Sequence, residues 1–221
     1  MAGPPTPVLL RAVLQAAQDR SLIGGVDLDA QVVHSAGFEA FLEPGCDVLD
    51  LGSGGGLPGL VLAVGRPDIQ MTLLDAARRR VRFLEWAIDQ LGVGDRVDAV
   101  WSRAESAGNK PGMRERYAHV VSRSFGPPAV TAECARPLLA DGGSLVVSEP
   151  PGSAGSEDPT RDADPRAGQV RWPDTGLAAL GYRPASHVRR SGSMFVELVA
   201  AGACPARLPR REGMPAKRPA F

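Results

Sequence analysis

The chain has 221 residues, with 25 basic and 25 acidic side chains, a formal net charge of zero and 43% apolar residues. That length suits one mid-sized domain with a real core, and the charge balance removes the simplest argument for a nucleic-acid binder, a global positive field. Cys46, Cys134 and Cys204 are scattered and lack C-x-x-C spacing, which excludes a disulfide scaffold and a zinc site and fits a reducing compartment.

The start, Met1–Pro7, is rich in Pro and Gly and reads as irregular. Residues 8–18 carry Leu9, Val13, Leu14 and Ala17 at helical spacing; the apolar stretch Val8–Ala17 contains Arg11 and is too short to span a bilayer. Asp27 or Asp29 can cap a second helix running to Leu42, where Glu43-Pro44-Gly45 breaks the pattern. Residues 1–45 thus form an N-terminal helical extension.

From residue 46 strands and helices alternate. Asp47–Leu51 is a first strand, followed by a glycine-rich loop and a helix from Pro58 to Val64. Met71–Leu74 is a second strand ending at Asp75, and residues 77–91 form an amphipathic helix with Val81, Leu84, Ile88 and Leu91 as its buried stripe. Val97–Trp101 and His119–Ser122 are the third and fourth strands, Ala129–Leu139 a helix, and Ser144–Ser148 a fifth strand. Residues 150–175 are polar and Pro-rich and read as an excursion loop. A short helix at Leu177–Leu180 precedes two alternating strands, Ala185–Arg190 and Met194–Ala200, which form a hairpin about Ser191-Gly192-Ser193. The pattern predicts an α/β domain over residues 46–200, with a mainly parallel seven-stranded sheet covered on both faces. Residues 201–221 hold five basic residues against Glu212 and four prolines, which reads as a basic extended tail able to track a phosphate backbone.

The chemistry concentrates in Asp50-Leu51-Gly52-Ser53-Gly54-Gly55-Gly56-Leu57-Pro58-Gly59, at the carboxyl end of the first strand, where ligands bind parallel sheets. Gly54-x-Gly56-x-x-Gly59 formally matches a dinucleotide fingerprint, with Asp75 downstream. Asp50 argues against it, because a pyrophosphate at this turn would face a carboxylate in a low-dielectric crevice. S-adenosylmethionine carries a sulfonium and an ammonium, for which the same carboxylate is attractive, and Asp75 can accept hydrogen bonds from ribose hydroxyls. The bland alternative is a purely structural glycine turn.

The methyl acceptor can be narrowed. An Asp/Asn-Pro-Pro-aromatic motif for exocyclic amines is absent after the fourth strand, which continues Arg123-Ser124-Phe125-Gly126-Pro127-Pro128. No cysteine stands at a strand end to serve as the thiolate that carbon methylation requires. A nucleophile with a free lone pair, such as a ring nitrogen, remains. His34, His119 and His187 are isolated, and no pair has metal-ligand spacing.

The run Asp50–Gly59, then Thr72-Leu73-Leu74-Asp75, Arg80-x-x-Phe83-Leu84, Arg103-Ala104-Glu105, Ser122-Arg123 and Pro137-Leu138-Leu139 resembles the glucose-inhibited-division protein B (RsmG) family of bacterial 16S rRNA guanine-N7 methyltransferases. Pro209–Pro219 is similar to that family's tail. The resemblance implies a class I, Rossmann-like methyltransferase fold, S-adenosyl-L-methionine as cofactor, and 16S rRNA or the small ribosomal subunit as partner. It implies a cytoplasmic monomer with neither metal nor membrane contact. Gly52 and Leu57 would line the cofactor, with Asp50, Gly54, Gly56 and Asp75 around it. Ala104 and Glu105 would flank the adenine. Arg123 would face the methyl end and the substrate, and Arg210 and Arg211 would hold phosphates. The catalytic residues stay unassigned. One departure stands out: the family's Leu-Lys-Gly after the fifth strand is replaced by Ser148-Glu149-Pro150-Pro151, which puts a negative charge at the substrate mouth. That departure, with an N-terminal portion shorter than the family's and lacking its W-N-x-x-x-N-L-T stretch, motivates a second reading, a related methyltransferase for another RNA or a small molecule; a cofactor-binding protein without turnover is a third.

Overall fold

The computed structural model describes residues 7–24, 27–150, 171–190 and 192–221. Two helices open the chain, α1 (Pro7–Asp19) and α2 (Leu28–Ala36). The Asp27 side chain accepts from the Asp29 N–H and caps α2. The second helix was expected to reach Leu42, but it tightens into a 3-10 turn over Gly37–Phe41. A Cβ on Gly37 would lie 2.7 Å from the Phe195 ring, so the chain passes closer to the sheet there than a side chain allows.

Seven strands follow: β1 (Asp47–Leu51), β2 (Gln70–Asp75), β3 (Val97–Trp101), β4 (Tyr117–Ser122), β5 (Leu139–Ser148), β6 (Ser186–Arg190) and β7 (Ser193–Val199). Their spatial order is β3-β2-β1-β4-β5-β7-β6. The first five are parallel, and β7 and β6 add antiparallel at the edge. The chain moves outward from β1 through β2 to β3, then returns to place β4 on the other side of β1. Loops after β1 and β4 therefore diverge and leave a crevice at the strands' carboxyl ends.

Alternation along each strand sorts the core into two layers. Val48, Met71, Leu73, Val121 and Val146 face the layer containing α1, α2, α3 (Gly59–Gly65) and α4 (Arg78–Leu91). Leu49, Leu74, Val120, Leu145 and Val147 face the layer with α5 (Ala104–Ala107), α6 (Pro128–Ala135) and α7 (Asp174–Leu180). This is the period-2 pattern of a sheet buried on both faces. The predicted helix over 129–139 ends early, because Pro137 diverts the chain into a 3-10 turn at Arg136–Leu138. Most of the expected loop over 150–175, residues 151–170, lies outside the described residues, as do the first six residues and Ser191 of the hairpin.

The C-terminal segment departs most from expectation. Residues 201–221 are not an extended arm; they fold back across α5 and α6 and end in the short helix α8 (Met214–Lys217). Cys204, Leu208 and Pro215 are buried. The Arg210 guanidinium donates to Glu133, a wholly buried carboxylate on α6, through Nε at 2.6 Å and also through a second nitrogen. Apolar residues interleaved with the basic ones give this segment a face to bury, and Glu133 supplies the charge that holds it.

Candidate active site

The crevice is built on the loop between β1 and α3. Gly52, Gly54 and Gly56 take positive φ of 79°, 56° and 97°, which side chains resist. The loop is braced from within. Gly52 and Ser53 N–H groups donate to the Leu74 carbonyl at 2.9 and 3.0 Å, Gly54 N–H to Asp75 Oδ2 at 3.0 Å, and Gly56 N–H to the Ser53 carbonyl at 2.7 Å. Four donors that a diphosphate cradle would need are thus already committed.

Asp50 sits beneath the loop, 1% exposed. Its Oδ2 accepts from the Gly59 N–H at 3.1 Å, while Oδ1 is buried without a hydrogen-bond partner. Gly59 is required here: a Cβ would fall 2.3 Å from Leu73 and 2.6 Å from Asp50 Oδ2. Burial pushes the Asp50 carboxyl up to about 7, against the Gly59 N–H bond and the Arg123 charge, which favour the charged form, while the Ser53 hydroxyl donates to the Asp50 main-chain carbonyl. An unpartnered buried carboxylate oxygen is costly in isolation and is relieved by a cation.

The other residues expected in this crevice sit as follows. Asp75 ends β2, is 4% exposed, and accepts from Gly54 through Oδ2 and from the Ala77 N–H through Oδ1 at 2.8 Å. Arg80 NH1 also donates to Oδ2, at 3.5 Å, so the spare lone pair is on Oδ1. The Leu57 side chain is buried in the core, so its backbone is what it offers the crevice. Ala104 and Glu105 open α5 after β3. The Glu105 side chain turns away to the folded tail, accepting from the Gly213 N–H at 2.8 Å and from Arg103 at 3.3 Å. Burial raises its pKa, but those hydrogen bonds outweigh it and hold the carboxyl below its ordinary range.

Across the switch point, a cavity of about 340 Å³ opens at the ends of β4 and β5. Gln31, His34, Arg123, Phe125, Glu149 and Trp172 are among its walls. Arg123 is half-buried: one guanidinium nitrogen bonds Gln31 Oε1, and NH1 is buried without a partner. Burial lowers the Arg123 pKa, and nearby Asp50 opposes the shift. His34 bonds Ser193 Oγ through Nδ1 at 3.0 Å, while Nε2 has no partner. Burial and the Arg123 charge lower its pKa, which favours the neutral ring. Phe125 packs over the glycine loop, its ring 2.6 Å from where a Gly52 Cβ would stand, and so joins the crevice to the cavity.

Sequence reading missed His34, Gln31 and Trp172, which reach the cavity from α2 and from the segment before α7. The apolar register of α2 was visible; its placement against β4 was not. The expectation for Glu149 needs correction. Glu149 is buried, but Oε2 accepts from Arg171 Nε at 2.7 Å and Oε1 from Trp172 Nε1 at 2.9 Å, so no uncompensated negative charge meets a substrate. Arg210 also needs correction, because its guanidinium is spent on Glu133; Arg211 is exposed on the tail. Cys134 is buried, and burial pushes its thiol up to about 12, which removes it as a thiolate nucleophile. Among the described residues no group of three or more His, Cys, Asp or Glu is arranged to hold a metal, and no helix is long and apolar enough to cross a membrane.

Comparison with known proteins converges on this geometry. The O-methyltransferase from Bacillus cereus, solved in complex with SAH, superposes with a TM-score of 0.62 at 19% identity, covering 89% of this chain and 92% of that one, which shows the shared fold. Ribosomal RNA small subunit methyltransferase G from Pelotomaculum thermopropionicum is 33% identical over 187 residues, 80% of this chain and 71% of the relative. Its counterpart from Symbiobacterium thermophilum is 36% identical over 192 residues, 81% and 72% of the two chains. The model of the GidB family, rRNA small subunit methyltransferase G, matches residues 15–149, and the chain belongs to that family.

Proposed function

We propose that the protein methylates N7 of a guanine in 16S rRNA, with S-adenosyl-L-methionine as methyl donor. One observation carries the cofactor half of this reading: the buried Asp50 Oδ1, unpartnered beneath a glycine turn in which the N–H groups of Gly52, Ser53, Gly54 and Gly56 are already used. That site repels a diphosphate and attracts a cation. Bound there, S-adenosylmethionine supplies an electrophilic methyl group on a cationic sulfur. Asp50 holds the cationic portion, Asp75 accepts from a ribose hydroxyl with the spare lone pair of Oδ1, and the backbone at Gly52, Leu57, Ala104 and Glu105 lines the rest.

The cavity beyond Phe125 is the place for the acceptor base. Guanine N7 presents a lone pair and no proton, so the site needs no general base; it needs positioning and the exclusion of water. Arg123 NH1 and the neutral His34 Nε2 are free to meet O6, N7-side or phosphate oxygens, and Phe125 and Trp172 provide apolar walls. Asp50, sensed by Arg123 across the crevice, helps offset the cationic charge that develops on the methylated base. The reading of a small-molecule substrate rested in part on Glu149 as a repulsive charge, and its pairing with Arg171 removes that part of the motive. On this reading the protein acts in the cytoplasm as a monomer, on RNA of the small subunit.

Mass spectrometry of small-subunit rRNA, from cells with and without the gene, tests the proposal. One N7-methylguanosine should disappear on deletion and return with the wild-type gene but not with Asp50→Asn. Unchanged N7-methylguanosine would overturn the target.

A further inference from the structure

A second groove, of about 470 Å³, lies outside the crevice, where the end of α1 meets the start of α4. Arg20, Arg78, Arg79 and Arg82 rim it, and Phe83 and Trp86 form its floor. The Arg20 guanidinium lies over both rings, 5.8 Å from the Phe83 centroid and 5.3 Å from that of Trp86. Arg78 lies over Trp101 at 5.0 Å, and the Trp101 indole N–H is anchored to the Ala76 carbonyl at 3.1 Å. Trp86 is 37% exposed and Trp101 56%, unusual for the largest apolar side chains.

The placement of these arginines opposes helix stability. Arg78, Arg79 and Arg82 stand in the first turns of α4, where the helix dipole disfavours cations. Among the described residues Arg80 is ion-paired, to Asp75, while the four groove arginines form no ion pair. The neighbouring acids Asp19, Glu85 and Asp89 leave the groove with a net positive rim. A cluster that weakens its own helix and covers two exposed indoles has its complement elsewhere: anions interleaved with flat π faces.

We propose that this groove, continued past Arg78 to Trp101, binds single-stranded RNA beside the target nucleotide, with bases stacked against the Arg20–Trp86 and Arg78–Trp101 pairs and phosphates held by Arg79 and Arg82. The inference rests on the RNA-methyltransferase reading and deepens it. Trp101 ends β3 and Arg123 follows β4, three inter-strand steps away, or roughly 15 Å along the carboxyl edge of the sheet. A strand that delivers a base to the Arg123 cavity passes the groove within a few nucleotides. Base–aromatic stacking tolerates any sequence, so the groove adds affinity and register, and the cavity reads the base.

The test is fluorescence anisotropy of a labelled, unstructured single-stranded RNA with the full chain, across a salt series and without cofactor. Trp101→Ala should weaken binding roughly tenfold. Arg78→Glu with Arg82→Glu should weaken it further and flatten the log–log salt slope by about two. Trp101→Ala should keep the wild-type melting temperature and the double Arg→Glu variant should keep or raise it, and both should keep the affinity for S-adenosylmethionine by calorimetry, which separates loss of the groove from loss of the fold or cofactor site. Wild-type RNA affinity in both variants would overturn the proposal, as would equal binding of polyglutamate. Failure of rRNA methylation with RNA binding intact would instead count against the function proposed above.

Discussion

Two of the buried carboxylates, Glu133 and Asp50, are treated in opposite ways. Glu133, on α6, receives the Arg210 guanidinium through two nitrogens and binds the C-terminal segment to the domain. Asp50, on β1, has a single backbone donor, an unpartnered oxygen and a pKa pushed up to about 7 by burial. A paired buried charge is part of the architecture. On the function proposed above, a buried carboxyl without an ion pair, placed under a glycine turn at the sheet's switch point with Arg123 across the crevice, is held for the cation of the cofactor. The difference separates structural from functional acids here more sharply than exposure or position in the chain.

Breaking the paired acid should have the larger effect on stability. Arg210→Ala leaves Glu133 buried without a counter-ion and should cost about 3 kcal/mol in denaturant unfolding. Replacing both partners, Glu133→Leu with Arg210→Met, should recover most of that loss. Breaking the unpaired acid should do the reverse. Asp50→Asn keeps an acceptor for the Gly59 N–H, so stability should hold or rise, while affinity for S-adenosylmethionine falls roughly 100-fold by calorimetry. Gly59→Ala drives a methyl group toward Asp50 Oδ2 and Leu73, and should cost roughly 1–3 kcal/mol of stability as well as cofactor affinity.

A further effect is in pH dependence. The folded pKa of Asp50, about 7, lies above its ordinary 3.8. Its contribution to the stability of the cofactor-free protein is therefore complete below about pH 4 and lost as pH rises through 7. Thermal melts of wild type and Asp50→Asn should diverge over that window, with wild type losing ground toward pH 8. Parallel melts would place Asp50 among groups that titrate normally.

The sheet and crevice were largely readable from the chain itself. The observed β1 and β3 have the expected limits, because each is a short apolar run bounded by turn residues, and Asp50 and Asp75 fall at strand positions that this alternation determines. What could not be read was pairing over long separations. Glu133 meets Arg210 across 77 positions, His34 meets Ser193 across 159, and Glu149 meets Arg171 across 22. In an arginine-rich chain no single arginine announces its partner. The folded tail did carry a signal, in Leu208, Met214 and Phe221 spaced among the basic residues, but composition outweighed it.

The most direct test of the role of Asp50 is the proton count on cofactor binding. Calorimetric titration with S-adenosylmethionine near pH 7, in two buffers of different ionisation enthalpy, measures it. Binding a cation beside a half-protonated carboxyl should release a fraction of a proton from the wild type and none from Asp50→Asn. Identical apparent enthalpies in the two buffers for the wild type, with undiminished affinity in Asp50→Asn, would contradict that role.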